Sequence, residues 1–440
     1  IQADSDKAIF PNVSLEAKYG AGAGIKLKLP IVFGGMGSTN IAANNWEGLA
    51  AGAAISGVVL TVGENVVGMD PEATIVKGRV VDSPELARRV KLFKQWQAGG
   101  YGAVVIQANV EDGRLGVQEY AVEKLGVKAV ELKWGQGAKD IGGEVKIKSL
   151  KKAQLLKDRG YVVLPDPYDK GVIQAFEKGS FTEFERHSRV GMVTEEGFLK
   201  RVEELRKAGA KWVQLKTGAY RPSDLAKAVK YASKARLDLL TVDAAGGGTG
   251  MSPWKMMNEW GVPPIETFSL LFGYCETLAR RGEHVPPIAL ASGFVFEDSW
   301  FKGLAFGAPY VKFIEMARAP LTAAMVGKTI GKKLEQGAPP VFVERFGKTV
   351  DEVFVEAGRL RSELGKDFDR LPAGAIGVHS YLSRCAQGMR QLMAGARKFS
   401  LEHITRDDIC ALTATAAKIS GIPYVMDLDR AEAESILNAK

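Results

Sequence analysis

Val130-Glu-Leu-Lys-Trp-Gly-Gln-Gly-Ala-Lys-Asp-Ile-Gly-Gly143 begins as an apolar strand and ends as a ligand loop. Val127, Ala129, Val130 and Leu132 surround a single acid, and the loop that follows carries three charges, one amide and four glycines. Glycine lets a backbone N–H approach a ligand closely, and Lys133, Gln136 and Lys139 can donate to anionic or carbonyl oxygens. A strand that runs into such a loop belongs where chemistry sits at strand C-terminal ends, as it does in an α/β barrel.

The same pattern recurs along the chain. Short β-branched or apolar runs, each followed by glycine or a polar turn, fall at 30–33, 58–61, 103–108, 129–134, 212–216, 239–243, 288–292 and 310–314. Amphipathic helical patterns lie between most of them, clearest at 85–97, 195–208, 224–235 and 265–281. Strands alternating with helices indicate a parallel sheet, and eight of them predict a closed (β/α)8 TIM barrel. Residues 1–24 read as an N-terminal segment and 25–330 as the barrel. From 331 to 440 the alternation stops and a C-terminal helical appendage is expected, with helices over 350–364, 377–395 and 406–419. The last should open at Thr405-Arg-Asp-Asp408, whose acids suit a helix N-terminus. An insertion at about 144–190, after the fourth strand, fits no barrel unit. It holds a basic tract, a short strand over 161–164 and an aromatic, charged segment at 181–187. A lid or partner surface and a scaffold loop on the barrel rim are equally consistent with it.

Hydrophobic residues make up 46% and charged residues 25% of the 440, ordinary for a soluble globular chain. The net charge of +8 comes without an aromatic-interleaved basic stripe, zinc knuckle or recognition helix. That argues against nucleic acid and for anionic small ligands or an acidic protein partner. Cys275, Cys385 and Cys410 lie far apart, without the spacing of an iron–sulfur or zinc site, and their scarcity fits a reducing cytoplasm. His187, His284, His379 and His403 share no ligand spacing, and no Ser-His-Asp motif emerges, so metalloenzyme and hydrolase readings rank low. No run is long and apolar enough to cross a bilayer; no membrane association and a cytoplasmic location are expected.

At the barrel mouth, the loop Phe33-Gly34-Gly35-Met36-Gly37-Ser38-Thr39 offers small residues and bare backbone. A glycine turn into a helix capped by Ser38 or Thr39 is the competing reading. Glu64 and Asn65 put a carboxylate and an amide after the second strand, suited to orienting ammonia or an imine, or forming a solvated turn. Gln107 and Asn109 alternate onto one face, the interior if they still belong to the strand, where buried amides need partners. Lys216 ends the fifth strand and would be costly to bury without an anion. Gly247, Gly248, Thr249 and Gly250 form a second glycine loop in Asp243-Ala-Ala-Gly-Gly-Gly-Thr-Gly-Met-Ser-Pro253. Barrels usually bind phosphate after strands seven and eight. Here Ser292, Gly293, Ala317 and Arg318, with a helix start at Ala319-Pro320, make a coherent cradle. The alternative is two structural helix caps with Arg318 paired to Glu315.

These loops, in this order, resemble the FMN-binding synthase domain of glutamate synthase large subunits, especially short archaeal-type chains. The matching pieces are Gly34-Gly-Met-Gly-Ser38, Gly63-Glu-Asn65, Gln136-Gly-Ala-Lys139 with Gly142-Gly143, Lys216, Gly247-Gly-Thr-Gly250 with Ser252-Pro253, and Ala319-Pro320, over about 25–330. The resemblance implies FMN bound near Gly34 to Ser38, Gln107, Lys133, Gln136, Lys216, Gly247 to Gly250, Ser292, Gly293, Ala317 and Arg318. It implies hydride transfer from reduced FMN to 2-iminoglutarate, formed from 2-oxoglutarate and ammonia, giving L-glutamate. Lys216, Gln136 and Lys139 would hold flavin and substrate carboxylates, and Glu64 would handle the amine proton.

Departures in the cluster, in the phosphate loops and at the N-terminus modify those expectations. No cysteine cluster follows the eighth strand, Ala-Ser-Gly stands where the family often has Asp-Gly-Gly, and Arg318 stands where a small residue or threonine is usual. No N-terminal nucleophile begins an amidotransferase. A separate electron-donor subunit or ferredoxin, docking on Lys146, Lys148, Lys151 and Lys152, is therefore expected. So are ammonia that is free or delivered by a separate amidotransferase subunit, and an oligomer. An FMN oxidase or dehydrogenase of another imino or hydroxy acid, and a flavin-binding subunit organising a larger complex, are the alternative readings.

Overall fold

All eight strand patterns become strands of one closed parallel barrel in the computed structural model, which describes residues 5–22, 24–134, 145–189, 191, 193–218, 221–246 and 261–439. They are β1 (Ile31–Met36), β2 (Val59–Val62), β3 (Ala103–Ala108), β4 (Ala129–Lys133), β5 (Trp212–Gly218), β6 (Leu239–Asp243), β7 (Ile288–Ala291) and β8 (Val311–Met316). The barrel closes where β8 pairs with β1, Ile314 opposite Ile31. Helices Pro84–Trp96, Glu195–Lys207, Pro222–Lys234 and Pro264–Arg280 lie between strands as the periodicity predicts. Ser83 and Thr194 cap the first two by accepting the backbone N–H groups of Leu86 and Gly197.

Side chains alternate across a strand, so every second residue faces the barrel axis. Val32, Val59, Val105, Ala129, Leu239, Ala289 and Phe313 form the apolar floor. An antiparallel hairpin, Ala17–Tyr19 with Ile25–Leu27, plugs it from below and adds Tyr19 and Leu27 to the same cluster. The N-terminal segment is thus continuous with the barrel floor. Two residues further along each strand the interior turns polar, with Gln107, Glu131, Gln214, Thr241 and Glu315 buried, and Lys216 and Asp243 buried beyond them.

The insertion is a small α/β unit. Val145–Ile147, Val162–Leu164 and Phe184–His187 make a three-stranded antiparallel sheet, with helices Leu150–Asp158 and Lys170–Glu177. Ile147, Ala153, Leu156, Val163 and Phe184 give it a core of its own, shared with Met69 of the barrel. Arginines fasten it to the rim. Arg159 donates to the carbonyls of Gly68 at 2.8 Å, Asp70 at 2.7 Å and Ala73 at 3.0 Å. Arg189 donates to both oxygens of the buried Glu111 at 2.9 Å. This is a docked scaffold, richer in structure than the single strand read at 161–164.

Helix Ala373–Gly395 packs on helices Asn40–Ile55 and Arg318–Glu335 and shares the barrel's main core. Glycine permits that approach: a Cβ on Gly377 would lie 2.7 Å from the Ala323 carbonyl oxygen, and one on Gly48 2.9 Å from the Gly374 Cα. Two expected helices differ. The stretch 350–364 breaks into Val350–Val353 and Ala357–Leu364, because Phe354 turns extended and buries its ring. Arg406–Asp408 is only a 3-10 turn with its own capping box, and Thr413 caps a separate helix, Ala414–Ser420. Among the described residues no helix is long and apolar enough to cross a membrane.

Arg159→Ala removes three charge-assisted hydrogen bonds, each contributing about 1.5–3 kcal/mol. Limited proteolysis is expected to cut within 145–187 on the order of ten-fold faster while the barrel stays resistant. Unchanged cleavage would show that the apolar core alone docks the insertion.

Candidate functional site

Glu131, in the middle of β4, is fully buried. The Gln107 side-chain amide donates to its Oε1 and the Gln214 amide to its Oε2, both at 2.5 Å. Tyr19 of the floor hairpin donates to Gln214 Oε1 at 2.5 Å, so the plug also sets the orientation of that amide. Burial, reinforced by Glu315, pushes the Glu131 carboxyl up to about 7 against the pull of Lys216 and the two amides.

One layer higher, Lys216 Nζ pairs with Glu315 Oε1 and lies 3.4 Å from Asp243 Oδ2. Burial alone would lower its ammonium pKa; Glu315, then Asp243 and Glu131, outweigh burial and hold it above the usual lysine value. Lys216 is therefore a charged group in the barrel interior, and the anion it requires is supplied by the protein. Lys133 contacts both oxygens of Glu64 at 2.8 Å, tying the end of β4 to the loop after β2. Thr61 Oγ1, Gln107 Oε1, Thr241 Oγ1 and Glu315 Oε2 are buried without a hydrogen-bond partner among the described residues. Buried polar atoms of this kind call for a ligand or ordered water.

The glycines at the end of β1 and just beyond it are required by the side chains and backbone they meet. A Cβ on Gly34 would lie 2.6 Å from Glu315 Oε1, one on Gly35 2.5 Å from Gln107 Oε1, and one on Gly37 2.1 Å from the Glu64 carbonyl oxygen. Thr39, rather than Ser38, caps the following helix by accepting the Ala42 N–H. Ser38 instead lines a cavity with Asp70, Arg88, Arg89 and Lys152. Met36 is buried, and the carbonyls of Met36 and Gly37 accept from Arg89 at 3.3 and 2.8 Å. Arg89 is itself buried, anchored by Glu85 at 2.7 Å and by the Trp46 ring 4.6 Å away.

Gln107 and Asn109 part company. Gln107 faces the interior, whereas Asn109 lies beyond β3 and caps helix Val110–Leu115 by accepting the Asp112 N–H at 3.0 Å. Asn65 sits in the left-handed region with φ 69°. Its N–H donates to Asp112 Oδ2 at 2.8 Å, and its Oδ1 accepts from Arg186 at 2.9 Å and Asn109 at 3.2 Å. The insertion thereby fixes the loop that carries Glu64.

After β7 and β8, Ser292 has φ 136° and Gly293 φ 73°. The Ser292 hydroxyl donates to the Ala245 carbonyl at 3.0 Å. Arg318 Nη2 reaches the Gly246 carbonyl at 3.4 Å and opens helix Arg318–Glu335, whose N-cap, Ala317, provides no side-chain cap. Glu315 points to Lys216, so the alternative pairing of Arg318 with Glu315 is not formed. Gln136, Lys139, Gly247, Gly248, Thr249 and Gly250 lie outside the described residues. The structure therefore gathers Gly34, Gly35, Gly37, Glu64, Gln107, Lys133 and Lys216 around the upper interior. It sets Ser292, Gly293, Ala317 and Arg318 on the rim beside residues 245–246. Sequence reasoning missed Tyr19, Glu131, Gln214, Asp243 and Glu315 as interior groups. The two-residue period was the available signal, since Glu131 and Gln214 precede Lys133 and Lys216 by one inward step. Nothing in the sequence marked Arg89.

Residues 186–314 match the family described as the conserved region in glutamate synthase, which bears out the resemblance over that span. No curated protein matches the chain. Solved structures of similar shape include mandelate oxidase, at 13% identity and TM-score 0.48 over 90% of this chain and 82% of that one. A protein designated lactate oxidase from Pediococcus acidilactici aligns at 12% identity and TM-score 0.46 over 91% and 83%.

Ser292→Gly is expected to stabilise the fold by about 1 kcal/mol. Relief of a glycine-type φ, about 1–3 kcal/mol, exceeds the lost hydroxyl bond, about 0.5–1.5 kcal/mol. A lower Tm for the variant would contradict this. Glu131 makes a second prediction. Because its folded value is raised, its stabilisation is complete below the ordinary carboxylate range and is lost as pH rises through about 7. Relative to the native chain, Glu131→Gln should gain Tm as the buffer is taken from about pH 5 to about pH 8. A pH-independent difference would mean that Glu131 does not titrate there.

Proposed function

From a chain that carries the conserved glutamate synthase region on a closed α/β barrel, we propose an FMN-dependent oxidoreductase that reduces 2-iminoglutarate to L-glutamate. The observation that carries the reading is Lys216, charged and buried near the end of β5 in the upper barrel interior. The residues present fit the cofactor. Arg318, the uncapped N-terminus of helix Arg318–Glu335 and Gly293 suit its phosphate. The unpartnered Gln107 Oε1 and the backbone after β1 suit the polar edge of its ring. Bound FMN would supply two-electron hydride chemistry. The chain's own residues orient and tune. Lys216 holds positive charge in a low-dielectric interior, and a cation there favours an anionic reduced ring. Glu131, poised near neutrality, can hold or release a proton at its carboxyl oxygens beneath Lys216. Glu64, held by Lys133, would manage the amine proton, and the Tyr19 hairpin closes the floor against water.

A second reading has its own observation. Lys216 is already matched by Glu315 and Asp243, which favours a substrate with fewer carboxylates, another imino or hydroxy acid. In the first reading electrons would come from a separate subunit or carrier, and ammonia would be free or delivered by a separate subunit. Oxidation of a hydroxy acid would need neither, the substrate supplying the electrons. Cys275 and Cys385 are buried thiols, pushed up to about 12 chiefly by burial. Of the four lysines offered to an acidic carrier, Lys146 and Lys148 are exposed but pair with Glu185 and Glu183, Lys152 is half-buried, and Lys151 is exposed.

Acid release from the purified chain is expected to yield FMN, and Arg318→Ala should weaken its binding by about 1.5–3 kcal/mol while Lys328→Ala changes little. Equal affinities in a fluorescence titration would remove Arg318 from the phosphate site. Anaerobic photoreduction followed by 2-oxoglutarate with ammonium should reoxidise the flavin. Reoxidation only by other imino or keto acids would support the second reading, and by none a non-enzymatic flavin subunit.

A further inference from the structure

At the end of the barrel opposite the mouth, a cavity of about 300 Å³ opens between the barrel base and the C-terminal helices. Lys28, ahead of β1, and Ser56, ahead of β2, form one wall; Glu356, Arg359, His379 and Arg390 form the other. His379 is 5% exposed, with Nδ1 2.9 Å from Ser56 Oγ and Nε2 3.3 Å from Arg359 Nη2. A guanidinium only donates, so Nε2 accepts, Nδ1 carries the proton, and Ser56 Oγ receives it. Burial, with Arg359 and Lys28, depresses the imidazolium to about 4, so the ring is neutral at physiological pH.

The grouping contains a serine, a histidine and a carboxylate, Glu356 Oε2 lying 3.9 Å from Nε2. It is not hydrolytic machinery: a base with a pKa of about 4 takes a serine proton poorly, and Arg359 occupies the nitrogen that a triad carboxylate would hold. What remains is a surplus of donors. The buried Ser56 hydroxyl hydrogen has no acceptor among the described residues. Lys28 spends one hydrogen on the Ile55 carbonyl at 3.2 Å, and Arg390 spends only its Nε, on the Val13 carbonyl at 3.3 Å. Three cations face one lining carboxylate, Glu356, whose Oε2 lies 3.3 Å from Arg359 Nε but accepts no hydrogen bond among the described residues. Arg359 also pairs with Glu363 at 3.2 Å, and among the described residues Lys28 and Arg390 have no carboxylate of their own there.

We propose that this cavity is a binding site for a small oxyanion ligand, a dicarboxylate or a phosphate. Bound there, it would tie the C-terminal helices to the base of β1 and β2. Arginine and lysine donors with one hydroxyl recognise either oxyanion, and the proposal is independent of what the mouth binds.

The test is calorimetric titration of the full chain, as purified, with succinate and with inorganic phosphate at constant ionic strength. Saturable one-to-one binding of at least one is expected, weakened about ten-fold or more in both Arg359→Gln and Arg390→Gln. Whether succinate or phosphate saturates identifies the source. Thermal melts of the two variants without ligand check that they fold, Arg359 being exposed. Binding undiminished in both folded variants, or no saturable binding of either anion, would overturn the proposal.

Discussion

A lysine charge inside the barrel sets the terms for everything around it. Lys216 has left water, and a buried ammonium persists only if anions and hydrogen bonds replace its hydration. Glu315 and Asp243 are those anions, and Glu131 adds a third carboxyl below. Each carboxylate then needs its own satisfaction, and Gln107 and Gln214 supply it for Glu131. Room for these side chains comes from β1, where Gly34 and Gly35 leave the space that Glu315 and Gln107 fill. The glycines, the amides and the acids are therefore one solution to one electrostatic problem. The same group of atoms is the candidate functional centre, because a charged, desolvated cation with protonatable neighbours is what a redox cofactor or an anionic substrate can use.

The shell around this centre is held chiefly by arginines bonded to backbone carbonyls and buried carboxylates. Arg89 fixes the loop after β1, Arg186 the loop after β2, and Arg159 the rim beyond it. A planar guanidinium can bind several carbonyls at once, which makes it well suited to holding an irregular loop that has no ladder of its own. The insertion acts through two of these residues. Its sheet delivers Arg186 to Asn65, next to Glu64, and so joins the insertion's core to the geometry of the mouth.

The opposite end of the barrel is organised on another principle. There the C-terminal helix Ala373–Gly395 meets the barrel helices through glycine contacts close enough to exclude side chains. Polar groups gather only where that close packing stops, around His379, Ser56 and the three cations. The two ends of the barrel thus carry separate charge clusters, one enclosed by β-strands and one by the junction of helices.

The sequence by itself determined the eight strands, their alternation with helices and hence the barrel, because hydrophobic periodicity and glycine punctuation are local signals. It also marked Gly34, Gly35, Gln107, Lys133 and Lys216 as mouth residues, since each stands at the end of a readable strand. The partners of those residues were decided only by the tertiary structure. That Lys216 meets Glu315 across 99 positions, or that Glu131 lies between Gln107 and Gln214, follows from closure of the sheet, which no local pattern encodes. The same holds for Arg89, in a helical pattern, and Arg186, in the aromatic, charged segment of the insertion, which no local pattern marks as anchors. Ser56, His379 and Arg390 come from three distant segments, and packing alone assembles their cavity. Short-range periodicity specifies which elements form; long-range packing decides which charges meet, and here the candidate chemistry lies in those meetings.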